Sequence, residues 1–487
     1  MRKTTAALLI TALALVLSSL IMAQATVSRT EESVRASRLA ALKHHAMAAL
    51  PVGVFDSGTG GLAVLEEVLR LDLFNNATGA AGRDGKPDFQ SEDFVFLADQ
   101  ANMPYGNYPA AGKTQYLVDL ALNDAIFLLT RDYYPAARAT QPLQDRLPAK
   151  AILIACNTAT AYGKKSIEGL ITESGFQIGV IDVISAGARG AVERLAPGVG
   201  GTIGVIATQG TCDSNAYPEQ IRFLAGQSRT GETRVVQQGS MGLAGAIDGV
   251  PEFIVENPVG SRPRPGYRGP ALDHPRAPID VSILSRYAFD FSNKRMLWDG
   301  DRARPQVLQI NSIENYVAYE VVSLLETLRK QPSTRPLSTV VLGCTHFPYY
   351  AYLFQKQLRR CYHLKEDGRY IYRPVLAADV RLIDPASISG RLLYESLRAD
   401  GKLGPARNRP NAQAKFYLTV PNPDYPGVQL DSAGGLTYEY KYSRSQAIGA
   451  ADFRAVPLTL ERLPASMARR LRRQLPAVWR LIETFSK

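Results

Sequence analysis

The chain contains few cysteines, histidines and tryptophans: four, five and two in 487 residues. Four cysteines are too few for a disulfide scaffold in a chain of this length. Their positions also lack the CxxC spacing of a structural zinc site, so we predict no metal site. Beyond the first residues, no stretch is apolar and long enough to cross a bilayer.

Sequence motifs of several other function classes are absent. The formal charge of +11 would suit nucleic acid, but the arginines are dispersed and no zinc-finger or RNA-recognition motif is present. We therefore expect no nucleic-acid partner. The glycine-rich segment 56–61 lacks the lysine of a phosphate-binding loop and the glycine spacing of a dinucleotide site. No lysine lies in a recognisable pyridoxal phosphate setting, so we expect no cofactor.

The N-terminus has the pattern of a targeting segment. A short basic start precedes an apolar stretch without charge, and a small-x-small site ends at Ala25. We expect residues 1–25 to be a cleaved signal peptide, 26–48 to be a polar leader, and the mature protein to be periplasmic or secreted. An uncleaved membrane anchor and a true start at Met47 are the alternatives.

Apolar, β-branched runs alternate with helical stretches from residue 49 onward, which predicts an α/β fold with mainly parallel sheets. Two of these runs end at a cysteine: 151–154 precedes Cys156, and 339–342 precedes Cys344. Ligands of α/β sheets bind beyond the carboxyl ends of the strands. The two cysteines could therefore face one substrate from opposite sides.

A thiol pair in this arrangement can invert a stereocentre, because one thiolate removes a proton while the other thiol donates one. We expect a helix to begin directly after each cysteine, which would lower the thiol pKa and offer amides to a carboxylate. Asp56 suits a place beside a thiol or an ammonium group, and His346 could tune the protonation of Cys344. A structural role is the alternative for each of these residues.

Several motifs together resemble glutamate racemase, of the cofactor-independent aspartate/glutamate racemase superfamily. They occur in the family's order, span about residues 52–460 and are separated by long insertions. The matching segments are 52–61, 103–106, 155–159, 208–217 and 343–348, with weaker echoes at 384–385 and 416–419.

The resemblance implies two α/β lobes that face each other across a cleft holding the active site. The predicted boundaries are 49–184 plus 378–462 for the first lobe and 185–377 for the second, with an insertion at about 255–310. The resemblance implies four catalytic residues: the acid/base thiols Cys156 and Cys344, with Asp56 and His346 assisting them. The residues implied to bind substrate are Asp56, Ser57, Tyr105, Gly106, Asn157, Thr158, Thr345 and His346. A supporting set is expected behind them: Asp248, Thr208 and Thr211.

One departure from the family lies near the second cysteine. The family usually has a glutamate there, about eight residues after a cysteine of its own. In this chain Asp248 stands in place of that glutamate and Ser240 in place of the cysteine. A shorter carboxylate could change the rate or the space for the substrate side chain.

Three further stretches carry structural expectations. Segment 255–278 is rich in proline, glycine and arginine and predicts an exposed loop. Alternating tyrosines at 438–442 predict a strand in an appended hairpin. Residues 463–487 predict a basic, amphipathic helix pair interrupted at Pro476. This tail is interpreted as a capping element, with contact to a membrane surface or a partner as the alternative.

The sequence therefore predicts a cofactor-independent racemase acting on a small acidic amino acid, glutamate first. Aspartate or broad-specificity racemisation is an alternative, which His346 disfavours because the aspartate branch carries glutamate there. A periplasmic binding protein for acidic amino acids, without turnover, is another, since export would place the thiols in an oxidising compartment. A homodimer is a further expectation.

Overall fold

The structure is a computed structural model that describes residues 47–331, 335–405, 412–445, 447, 451–463 and 465–487. The predicted signal peptide and all of the predicted leader before residue 47 lie outside these ranges. Among the described residues, no helix has both the length and the apolar character needed to cross a membrane.

Strands and helices alternate through most of the described chain. The strands are β1 Val52–Asp56, β2 Asp93–Ala98, β3 Ala151–Ile154, β4 Gly179–Asp182, β5 Gly201–Thr208, β6 Thr233–Ser240, β7 Met296–Asp301, β8 Arg304–Ile310, β9 Leu337–Gly343, β10 Lys365–Glu366, β11 Arg369–Tyr370, β12 Leu376–Ile383, β13 Gln413–Pro421 and β14 Phe453–Pro457. The α-helices are α1 Leu62–Arg70, α2 Thr114–Leu129, α3 Asn157–Ser174, α4 Val183–Val192, α5 Gln209–Asp213, α6 Ala216–Gln227, α7 Leu243–Ile247, α8 Leu284–Tyr287, α9 Ile313–Arg329, α10 Ala351–His363, α11 Pro385–Ala399, α12 Tyr438–Ser443, α13 Ala465–Gln474 and α14 Pro476–Phe485.

Two separate sheets organise the molecule, and we call the part built on each a lobe. The first lobe has six strands in the order β14-β13-β2-β1-β3-β4, all parallel except β14. The second lobe has four parallel strands in the order β12-β9-β5-β6. The predicted α/β class with mainly parallel sheets is confirmed.

Helices cover both faces of each sheet, which explains why the central strands are apolar throughout. In the first lobe, α1 and α11 pack on one face and α2 and α3 on the other. In the second lobe, α9 and α10 pack on one face and α4 and α6 on the other. Parallel pairing brings the carboxyl ends of β1 and β3 to one edge, and those of β5 and β9 to another.

The predicted return of the chain to the first lobe at residue 378 is wrong. That position lies inside β12, which pairs with β9 of the second sheet and buries Leu376, Val380 and Ile383. The chain leaves the second sheet only after Ile383. Helix α11 then packs against both α1 and α4, and so bridges the lobes.

The predicted exposed loop at 255–278 has no helix or strand and is mostly exposed or half-buried, although Ala277 is buried in the core of the second lobe. The rest of the predicted insertion is more ordered. The hairpin formed by β7 and β8 adds Met296 and Leu308 to the same core.

The tyrosine-rich segment is a helix, α12, and the predicted strand is wrong. Thr437 caps the helix, since its side chain accepts a hydrogen bond from Tyr440 N at 3.2 Å. Tyr438 and Tyr442 lie one helical turn apart, with ring centroids separated by 4.6 Å. The alternating tyrosines are thus compatible with both a strand and a helix, and their packing on the first lobe favours the helix.

The basic tail forms the predicted helix pair, α13 and α14. Its apolar residues Leu471, Val478 and Ile482 are completely buried against the first lobe. The carboxylate of Glu66 accepts hydrogen bonds from the backbone N–H groups of Ala477 and Val478, at the start of α14. The capping interpretation is confirmed. The apolar face that membrane contact would require is covered by protein.

Candidate active site

A small cavity of about 30 Å³ lies between the two lobes, at the carboxyl ends of the strands. Both cysteines singled out in the sequence line it, Cys156 from the first lobe and Cys344 from the second. All eight of the predicted substrate-binding residues line it as well. The remaining lining residues are Asp56, Ser57, Met103, Pro104, Tyr105, Gly106, Asn157, Thr158, Thr208, Ala244, Gly245, Thr345 and His346.

Cys156 ends β3 and caps helix α3, as its sequence position predicts. Its Sγ accepts a hydrogen bond from Ala159 N at 3.4 Å and lies 3.5 Å from Ser57 Oγ. Burial raises the pKa of the Cys156 thiol, and the nearby Asp56 carboxylate raises it further. These influences outweigh the hydrogen bonds, so the thiol form is favoured at Cys156.

Asp56 lies at the end of β1 and is almost completely buried. Its Oδ2 accepts a hydrogen bond from Gly61 N at 2.8 Å. A Cβ on Gly61 would approach the Asp56 Cβ to 2.5 Å, so only glycine allows this turn. Burial raises the pKa of the Asp56 carboxyl, although His346 acts in the opposite direction. A carboxyl group with a raised pKa is typical of a functional site.

Cys344 follows β9 in the second lobe, and His346 is its partner. The Nδ1 atom of His346 lies 3.5 Å from Cys344 Sγ, and its Nε2 atom lies 2.9 Å from Asp248 Oδ2. Burial acts to lower the pKa of His346, but the Asp248 carboxylate more than offsets it, so that the pKa is raised well above its usual value. An imidazolium beside Cys344 would stabilise a thiolate there.

The helix predicted to begin directly after Cys344 is not found there. The chain first makes a 3-10 turn over Phe347–Tyr350, and α10 begins only at Ala351. The N-terminus of a long helix therefore does not follow Cys344 as it follows Cys156. The histidine supplies the positive charge on this side instead.

Asp248 lies at the end of the short helix α7 and is held on both carboxylate oxygens. Oδ2 contacts His346, and Oδ1 accepts a hydrogen bond from Arg470 Nη2 at 3.0 Å. Burial would raise the pKa of Asp248, but His346 and Arg470 together lower it. Asp248 is therefore a carboxylate within a chain of charges that ends at Cys344.

Three threonine hydroxyls from both lobes meet beside the cavity. Thr158 Oγ1 lies 3.0 Å from Thr208 Oγ1 and 3.1 Å from Thr211 Oγ1, while the last two are 2.9 Å apart. Asn157 Oδ1 accepts a hydrogen bond from Tyr217 Oη at 2.7 Å. These neutral groups place donors and acceptors near the start of α3. None of the described residues that line the cavity is a lysine or an arginine.

Tyr105 lines the cavity, but its hydroxyl is already engaged behind it. The Oη atom hydrogen-bonds Asp99 Oδ2 at 2.5 Å and Asp124 Oδ2 at 2.8 Å. Burial, with Asp99 nearby, raises the pKa of Asp124 well above its usual range. The ring of Tyr105, rather than its hydroxyl, therefore faces the cavity. Neighbouring Gly106 allows close contact with Thr208, because a Cβ would lie 3.1 Å from its side chain.

Several residues of the site were not predicted from the sequence. Met103, Pro104, Ala244 and Gly245 line the cavity, yet apolar and glycine residues give no chemical signal. Arg470 could not be singled out because it is one of several arginines in the tail. The motif residues were found because they stand at strand ends and in polar, recognisable strings.

Comparison with known proteins finds similarity to glutamate racemases. No family model matches the chain. A glutamate racemase of Levilactobacillus brevis is 34% identical over 369 residues, which cover 76% of this chain and 86% of that protein. A glutamate racemase of Symbiobacterium thermophilum is 26% identical over 73% of this chain and 81% of that protein. Among solved structures, a glutamate racemase isoform from Bacillus anthracis aligns with 75% of this chain and 87% of that chain, at 21% identity and a TM-score of 0.42.

Proposed function

Because this chain belongs to the glutamate racemase family, we propose that it interconverts L- and D-glutamate by proton transfer between the α-carbon and two thiols. The observation that carries the mechanism is that Cys156 and Cys344, from different lobes, line one cavity. Two acid/base groups on opposite sides of one carbon are what inversion requires. The reaction uses no external electron acceptor, and we propose that it needs no cofactor.

The two sulfur atoms account for every proton and electron pair in the reaction. One thiolate takes the α-proton, so that the Cα–H bond breaks and an S–H bond forms. The electron pair left on the carbon takes the proton of the opposite thiol, which becomes a thiolate. The product has the opposite configuration, and the enzyme is then set for the reverse reaction.

The two cysteines have different charged groups beside them. Cys156 favours the thiol, with Asp56 beside it to accept or return a proton. Cys344 has the imidazolium of His346 beside it, held by Asp248. We propose that the resting site holds a thiol at Cys156 and the imidazolium of His346 beside Cys344.

Substrate binding depends on neutral donors rather than on cationic side chains. We propose that Ser57, Asn157, Thr158 and Thr345, with the amides at the start of α3, bind the substrate carboxylates. Asp56 provides a negative charge for the ammonium group. A cavity of about 30 Å³ is too small for glutamate, so we propose that the site widens when the substrate binds.

The test replaces each thiol in turn. We expect Cys156→Ser and Cys344→Ser to lower racemisation by on the order of 10³-fold, since a serine hydroxyl is a far weaker acid and its anion is scarcely populated. Circular dichroism with L- and D-glutamate measures the rate, and loss of the α-proton in deuterated water measures each half-reaction. Cys361→Ser, in the core of the second lobe, is the matched control and should retain activity. Full racemisation by either cavity variant would refute the two-thiol mechanism.

We also propose that the protein acts outside the cytoplasm. The proposal is supported by the basic start, the apolar stretch and the small-x-small site that ends at Ala25. Mass spectrometry of the protein recovered from its native cell should give a mature N-terminus directly after Ala25. Recovery with Met1 or Met47 as the first residue would contradict export.

A further inference from the structure

Arg470 connects the C-terminal tail to the second half of the site. It belongs to α13, which packs on the first lobe, but its guanidinium reaches the second lobe. Nη2 donates a hydrogen bond to Asp248 Oδ1 at 3.0 Å, and Nη1 donates one to the Ile247 carbonyl oxygen at 2.6 Å. The side chain is 12% exposed, so solvent screens these contacts little.

The backbone that carries Arg470 is held firmly on the first lobe. Its neighbour Leu471 is completely buried, and Leu475 and Val478 continue the same apolar face. Glu66 of α1 binds the first N–H groups of α14. Helix α1 itself begins after the glycine turn at Gly60, where a Cβ would lie 2.5 Å from His346 Cε1. The tail and the glycine turn therefore approach the His346 region from one lobe.

Asp248 cannot rotate freely while both of its oxygens are engaged. Arg470 holds Oδ1, and Oδ2 remains for the His346 Nε2 atom at 2.9 Å. The other ring nitrogen of His346 then lies 3.5 Å from Cys344 Sγ. A guanidinium provides two donors in a fixed plane, which suits the simultaneous contacts to a carboxylate and a carbonyl.

We propose that Arg470 is a positioning residue of the racemase, which fixes Asp248 so that His346 is aligned with Cys344. Arg470 is not among the described residues that line the cavity, and we propose that it acts on the site through its contact with Asp248. The contact crosses from the tail on the first lobe to α7 on the second, so it depends on how the two lobes pack together. The Cys344 half of the site is therefore held in part by the first lobe. This inference rests on the proposed racemase function.

The experiment compares Arg470→Gln and Arg470→Lys with Arg469→Gln, an exposed neighbour on the same helix. We expect Arg470→Gln to lower kcat about tenfold to a hundredfold, because a small misplacement of an acid/base group slows the proton transfer. KM should rise by no more than about fivefold, the effect expected from weakening one contact between the lobes, since Arg470 does not touch substrate. Arg470→Lys should restore part of kcat, and Arg469→Gln should match the parent.

Kinetic isotope effects with α-deuterated L- and D-glutamate separate positioning from a general loss of structure. Each thiol removes the α-proton of one enantiomer. If the variant weakens only the Cys344 half, proton removal by Cys344 becomes more rate-limiting and proton removal by Cys156 becomes less so. The isotope effect should therefore rise for the enantiomer that Cys344 deprotonates and fall for the other. Equal isotope effects in parent and Arg470→Gln, or an unchanged kcat, would overturn the proposal. A loss of kcat with a matching fall in melting temperature and no lysine rescue would also overturn it.

A measurement that does not need turnover keeps this proposal separate from the proposed function. Nitrogen-15 spectra of the histidines, with His346→Asn for assignment, report the ring environment of His346. We expect Arg470→Gln to shift the His346 signals and Arg469→Gln to leave them unchanged. A parent that does not racemise glutamate would refute the proposed function, whereas unshifted His346 signals would refute the Arg470 contact.

Discussion

The two cysteines of the cavity are alike in sequence context but differ in their surroundings. Each follows a buried strand and precedes a threonine or an asparagine–threonine pair. Cys156 has a buried carboxyl group nearby, whereas Cys344 has an imidazole held by a carboxylate. The substrate enantiomers are mirror images, but the protein groups that receive their protons are not. The two directions of the reaction can therefore differ in kcat and KM.

The Asp248 carboxylate should control the pH dependence of the reaction. In the parent it raises the pKa of His346 well above its usual value, so the imidazolium persists as pH rises. In Asp248→Asn the burial of His346 remains while this charge is lost, so the pKa falls and the imidazolium is lost at lower pH. We expect kcat to fall about a hundredfold near pH 8, less near pH 6, and its alkaline limb to move to lower pH. Rate measurements across this range check the shift.

Asp248→Glu is the matched control, because it keeps the negative charge and changes only the length of the side chain. Its alkaline limb should stay close to that of the parent. If Asp248→Asn and the parent have the same pH profile, Asp248 does not govern the protonation of His346.

Much of the candidate site could be predicted because polar residues in strand-end motifs have few structural roles. Asp56, Asn157 and His346 were singled out in this way, and all three lie at the cavity. The contacts that each group makes could not be predicted as well from the sequence. The hydroxyl of Tyr105 is committed to Asp99 and Asp124, a contact that depends on tertiary packing.

At the scale of elements, the buried parallel strands were the most predictable. Strands such as β3 and β9 are continuous apolar runs, and burial on both faces leaves little freedom in where they end. Strand β12 was misplaced because its apolar residues are irregularly spaced around a shift in register. Helix α12 was misassigned because tyrosines at every second position also place Tyr438 and Tyr442 one helical turn apart.

The tail helices belong to the folded core, so truncating their apolar face should destabilise the protein. Leu471 is completely buried among residues of the first lobe. We expect Leu471→Ala to lower the free energy of unfolding by about 2–5 kcal/mol, from lost burial and the cavity that it leaves. Urea denaturation followed by fluorescence measures the change.

Arg472→Ala, the exposed next residue, is the control for this variant and should change stability by no more than about 0.5 kcal/mol. Equal midpoints for the two variants would mean that α13 is not part of the cooperative fold. The apolar face of α13 would then be free to contact a membrane surface.

At the scale of the whole molecule, the tail and the insertion each contribute a contact between the lobes. Arg470 reaches Asp248 from the tail. Arg268, in the insertion of the second lobe, places its guanidinium 3.7 Å from the ring centroid of Tyr438. Its Nη2 atom lies 3.5 Å from Glu439 Oε1. Tyr438 packs on the core of the first lobe, so this second contact also holds the lobes together.

The Arg268 contact should affect substrate binding rather than chemistry, because it stabilises the closed molecule without touching the cavity. An exposed cation–π contact contributes about 0.5–1 kcal/mol. We expect Arg268→Ala to raise KM about twofold to fivefold, since the two lobes are then held together less firmly around the substrate, and to leave kcat unchanged. Because racemisation has an equilibrium constant of one, kcat/KM must fall equally for both enantiomers, which steady-state kinetics can check. Arg262→Ala, exposed in the same insertion, should behave like the parent. A fall in kcat with constant KM would show that the insertion acts on the chemistry and not on closure.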